Sequence, residues 1–71
     1  MPKKEIATLQ PHQKRVVSEH SELNVKIEKL FGFIRSAQFE SVPPEERNRL
    51  RKQHIVMLKY SAILEERIDA F

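Results

Sequence analysis

The sequence predicts an all-α fold: an antiparallel two-helix hairpin, helices over about residues 11–36 and 44–70, assembling into a helical-bundle homo-oligomer. Three observations predict it. Two rows of residues recur at alternating four- and three-residue spacing: Val16, His20, Leu23, Ile27, Leu30 and Ile34, then Leu50, His54, Met57, Ser61, Leu64, Ile68 and Phe71. That alternation averages about 3.5 residues, the period of a helix stripe facing a partner along its length. Pro43-Pro44 stands between the rows, and proline cannot continue a helix because it lacks the amide donor and clashes with the preceding turn. Finally, Ile55, Val56, Leu58, Ala62 and Ile63 fall outside the second row, so that helix is apolar on more than one face. A lone hairpin would expose this surface, which predicts self-association.

The elements follow in order. Residues 1–10 (MPKKEIATLQ) have no sustained period and read as a flexible N-terminal arm, with Ile6 and Leu9 able to latch onto a neighbour. Residues 11–71 form one helical-hairpin domain. Pro11 suits the first helical position, where its missing donor costs nothing. Glu22 lies four residues before Lys26, a spacing that predicts a surface ion pair. Gly32 interrupts the first helix at a cost of about 1 kcal/mol relative to alanine, leaving room for a neighbouring aromatic ring or backbone. A turn over 37–43 carries Phe39 and Val42 as plugs over the end of the core. Pro44 opens the second helix, with Glu45 and Glu46 beside the positive end of its dipole. Folding about this turn predicts that facing residues have numbers summing to about 81, setting Ile27 opposite His54, Leu23 opposite Leu58, and His20 opposite Tyr60 and Ser61.

Composition narrows the chemistry. Seventy-one residues give one small domain, and chains this short usually need a staple or a second copy. There is no cysteine, so neither a disulfide nor a thiolate metal site can supply the staple; a reducing compartment fits. The longest apolar runs are too short to cross a bilayer and no signal-peptide core follows Met1, so a cytoplasmic location is expected. The net charge of +3 is mild but polarised: Arg47, Arg49, Arg51 and Lys52 crowd the turn end, Glu65, Glu66 and Asp69 the far end.

No catalytic pattern is visible. The chain has no glycine-rich phosphate loop, and its serines carry no local nucleophile signature. Glu45-Glu46 and Glu65-Glu66 diverge by about 100° on a helix and make no acid–base dyad. His20 and His54 sit in the core rows at different levels, so the reading is structural rather than metal-binding, and no cofactor is expected. Two polar groups remain as candidate sites. His12, Gln13 and Arg15 open the first helix, where free amide donors attract anions, and they face Arg67 and Glu66. Arg47 and Arg51 belong to the rival basic cluster, which suits phosphate and equally suits a solvated face balanced by Glu45 and Glu46. Tyr60, just off the core row, suits either stacking on a base or burying its ring with the hydroxyl at the rim.

The series His12-Gln13-x-Arg15-Val16, Glu19, Glu22-Leu23, Lys26, Leu30, Phe33-Ile34-x-Ser36, Phe39, Leu50, Gln53, Met57, Tyr60, Leu64 and Arg67-Ile68 resembles a family of small phage-encoded helical proteins of tailed and crAss-like phages. The resemblance spans about residues 12–68. Its polar members His12, Gln13, Arg15, Lys26, Gln53, Tyr60 and Arg67 are not explained by packing and form the expected ligand-binding set. In size and hairpin form the chain is also similar to phage counter-defence sponges, whose own sequence motif it does not share. That likeness implies a non-enzymatic protein in the infected bacterial host that sequesters an anionic nucleotide second messenger, such as a cyclic oligonucleotide or a cyclic ADP-ribose-type molecule. Two other partners stay open: a host defence protein bound by a helical inhibitor, or a nucleic acid. Interleaved glutamates and sparse aromatics disfavour nucleic acid, and no membrane partner is expected.

Overall fold

The computed structural model describes residues 8–71. Two helices, α1 (Pro11–Ile34) and α2 (Pro44–Asp69), are joined through a 3-10 turn at Ala37–Ser41, with no strand among the described residues. Of the expected N-terminal arm, residues 1–7, Ile6 included, lie outside the described residues, whereas Leu9 is buried.

Gln10 is extended and accepts from the Gln13 and Lys14 amides, while its own amide donates to Gln13 Oε1 at 2.9 Å. Those bonds satisfy donors that a helix start leaves without partners. At the other end α1 stops two residues short of the predicted Ser36. The Ser36 amide and hydroxyl both donate to the Phe33 carbonyl, at 3.0 and 2.6 Å, as the Ser36 backbone turns extended. Pro43 and Pro44 start α2, and the Arg47 amide donates to the Pro43 carbonyl at 2.9 Å. That helix closes at Asp69, one residue before the expected Ala70, whose amide caps the Glu66 and Arg67 carbonyls.

Val16, Leu23, Ile27 and Leu64 form the core, with Met57, Ile68 and Phe71 packed against it. These residues belong to the two predicted rows. The seam is thin: among the described residues Leu64 alone is fully buried, at 1% exposure. Phe39 plugs the turn end as expected, 4% exposed, its ring edge-on to Phe33 at 5.9 Å and covered by the Arg51 guanidinium at 5.1 Å. Val42 is half-buried.

The register corrects the sequence expectation by one helical turn. Ser61 Oγ donates to Asn24 Oδ1 at 2.7 Å, and His54 stacks on Phe31 at 5.2 Å; the paired numbers sum to 85, not about 81. The turn is responsible. The 3-10 segment continues past the end of α1, its Phe39 packing on Phe33 and under Arg51, so the chain reverses later than a symmetric loop would and the first turns of α2 overhang α1. Tyr60 therefore stands level with Val25 rather than with His20. Two further expectations are revised. Nothing lies within 4 Å of a Cβ built on Gly32, so within the hairpin its missing side chain admits neither ring nor backbone. Among the described residues Glu22 and Lys26 do not pair, whereas Arg49 and Glu46 do, at 2.7 Å.

The Asn24–Ser61 bond gives the register a direct test. In a double-mutant cycle of Asn24→Ala and Ser61→Ala read by urea denaturation, the two sites should couple by about 0.5–1.5 kcal/mol, the net worth of one hydrogen bond. Coupling indistinguishable from zero would place Ser61 elsewhere.

Candidate functional site

Each helix has a core stripe and two flanks, and the cross-helix contacts show which flanks share a face. Asn24 and Phe31 meet Ser61 and His54, so those four lie on one broad face of the hairpin. At about 100° per residue, Arg15 and Lys26 fall on the other flank of α1, roughly 20° apart in direction. Gln53, Tyr60 and Arg67 fall on the matching flank of α2. Five of the seven expected ligand residues thus share one face. The exceptions are Gln13, which lies on the far flank and caps Gln10, and His12, exposed near the open end of the core stripe.

Sharing a face is not convergence. Arg15 and Lys26 are eleven residues apart, about 16 Å along the axis, and Gln53 stands level with Gly32, about 25 Å from Arg15. Lys26 and Tyr60 come to nearly one level across the face. Arg67 comes level with Ser18, close to the groove of about 410 Å³ formed by Lys14, Arg15, Ser18, Glu19 and Glu22. Two cations and two carboxylates line that groove, so in a single copy it offers an anion no net positive field. Tyr60 is half-exposed between Val56 and Ile63, which are 62% and 55% exposed. The Gln53 amide reaches Met57 Sδ at 3.7 Å.

In the rival basic cluster, Arg49 is held by Glu46 and Arg51 packs on Phe39. Arg47 is half-buried, and its Nε is buried without a hydrogen-bond partner. The cluster is therefore largely committed to shaping the turn.

The other face carries a feature that the row pattern misses. His54 stacks on Phe31 with planes 10° apart, Arg35 lies 5.2 Å from the same ring, and Ile27, Glu28, Phe31, His54 and Leu58 line an apolar groove of about 280 Å³. The signal available was the four-residue step from Phe31 to Arg35, which sets a guanidinium over a ring on one helix face. His20 and His54 both have structural partners: His20 Nε2 accepts from Asn24 Nδ2 at 3.4 Å, and His54 stacks on Phe31. Among the described residues no group of three or more potential metal ligands exists, and no helix is long and apolar enough to cross a membrane.

No solved structure matches this chain. An Enterobacteria phage T4 protein, described as an uncharacterized 7.5 kDa protein in the denB-rIIB intergenic region, is 40% identical over 60 residues, covering 84% of this chain and 94% of its own length. The expected kinship with small phage-encoded helical proteins is thereby met. The Sequestin family model matches residues 10–70, all of α1, the turn and α2, and the chain belongs to the Sequestin family.

Proposed function

We propose that this protein sequesters a small anionic nucleotide signal, such as a cyclic oligonucleotide or a cyclic ADP-ribose-type molecule, holding it chemically unchanged away from a host effector. The observation that carries this reading is that Arg15, Lys26, Gln53, Tyr60 and Arg67 lie along one face, none of them among the core residues. Arginines suit bidentate phosphate contacts, and Tyr60 offers a platform for a base. The family name, which speaks of sequestration, supports a binding role over a catalytic one. A phage relative points to the cytoplasm of an infected bacterium as the place of action.

One hairpin face is too flat to enclose a nucleotide, so the site is completed by a second copy of the chain, which also offsets Glu19 and Glu22 with additional cations. Calorimetric titration with cyclic dinucleotides and cyclic ADP-ribose isomers tests the proposal. One of these should bind and be recovered intact after heat denaturation. Arg15→Ala should weaken that binding about tenfold or more without unfolding the protein, because a charge-assisted phosphate contact is worth roughly 1.5–3 kcal/mol and Arg15 is exposed. The exposed Val56 and Ile63 on the same face support a second reading, an inhibitor that docks on a host protein. Absence of heat with every nucleotide, together with one host protein recovered by pull-down, would decide for it.

A further inference from the structure

We propose that two copies of this chain pair through α2, antiparallel, about a twofold axis beside Leu58. The contact lies on the face opposite Arg15, Lys26 and Tyr60, so it is additional to the copy-to-copy contact invoked above, and it requires no ligand. The surface is on the Phe31–His54 side. Ile55, Leu58 and Ala62 form a stripe at three- and four-residue spacing on the solvent side of α2, with Ile55 53% and Leu58 48% exposed. Leu58 continues into the apolar groove of Ile27, Phe31 and His54, whose volume of about 280 Å³ suits branched aliphatic side chains from a neighbour. A stripe with that spacing is what a facing helix requires.

Charge then selects both the partner and its direction. Arg51 precedes Leu58 by seven residues and Glu65 follows it by seven, so both point within about 20° of Leu58. Neither has an ion-pair partner among the described residues, and the guanidinium of Arg51, though it covers the Phe39 ring, keeps an exposed edge for a carboxylate. Antiparallel pairing about Leu58 sets Arg51 of each copy against Glu65 of the other, twice in one dimer. Parallel pairing would set Arg51 against Arg51 and Glu65 against Glu65. Arg47, eleven residues before Leu58, lies on the same stripe, and the twofold brings it to the carbonyl-bearing end of the partner's α2. That end carries negative potential, which favours a cation. The second copy is the occupant because this polarity is complementary to itself when reversed.

The chain's lack of cysteine makes the geometry directly testable. Wild-type protein without ligand should be at least dimeric in sedimentation and native mass spectrometry at micromolar concentration. Leu58→Cys should cross-link to itself on mild oxidation, because facing residues at the axis approach disulfide distance, whereas Ile63→Cys on the opposite flank should not. Glu65→Arg should weaken the dimer about tenfold or more, since reversal changes two contacts at once, and adding Arg51→Glu should recover most of the loss. Both sites are exposed, so the helical circular dichroism should persist; Arg51→Glu also removes the guanidinium over Phe39, so its melt is compared with that of Arg51→Gln. A monomeric wild type, cross-linking through Ile63→Cys instead of Leu58→Cys, or no recovery in the double variant would overturn the pairing. Because these readings contain no nucleotide, they stand or fall separately from the sequestration assay.

Discussion

Leu64→Asp should leave no cooperatively folded hairpin. Leu64 is 1% exposed and packs with Val16, Leu23 and Ile27 at the centre of the seam. An uncompensated carboxylate there costs several kcal/mol, against a total stability on the order of 4–11 kcal/mol for a chain this long. Leu64→Ala, which only leaves a cavity, should cost about 2–5 kcal/mol. The neighbouring Ile63→Asp supplies the contrast: Ile63 is 55% exposed in the hairpin, so its helical signal should persist. Thermal melts followed by circular dichroism distinguish the three variants. A cooperative melt retained by Leu64→Asp would mean that the helices do not meet along this seam.

Phe39→Ala should be nearly as damaging, although Phe39 lies in neither long helix. Its ring is 4% exposed, with its contacts to Phe33 and Arg51 closing the turn end of the core. Truncating a buried phenylalanine costs about 3–5 kcal/mol. In a domain of this size that lowers Tm by at least about 12 °C. A loss within a few degrees would show that the 3-10 turn only connects the helices.

The hairpin was legible because its two signals are local. A stripe period and a proline pair operate within one or two turns of chain, and the buried residues of both helices fall in the rows they define. Register was less accessible. It depends on how the seven residues after Ser36 fold, and no sequence signal indicated that five of them would wind into a 3-10 turn. Asn24, which pins the alignment, sits outside both rows. The shared face of Arg15, Lys26, Tyr60 and Arg67 follows from helical spacing once the helices are assigned. The groove at Phe31 does not, because it is created by His54 and Leu58 arriving from the other helix at the register actually adopted. The isolated histidines illustrate the same limit. Their row positions indicated a structural role, yet whether a ring stacks or hydrogen-bonds depends on what stands across the seam.

The Asn24–Ser61 bond has a consequence beyond its own strength. Apolar side chains in a seam are nearly interchangeable, so sliding α2 by one turn would exchange one set of aliphatic contacts for another at modest cost. The slid arrangement would nevertheless separate the Ser61 hydroxyl from Asn24 and leave two half-buried polar groups without each other. These side chains therefore act as a detent that distinguishes otherwise similar stops. A variant with leucine at both positions would gain grip and lose its index mark: more resistant to heat, but divided between alignments one turn apart. Because every face of the hairpin is composed of residues from both helices, such a population would present two different surfaces to the solution, and only one of them would keep Lys26 level with Tyr60.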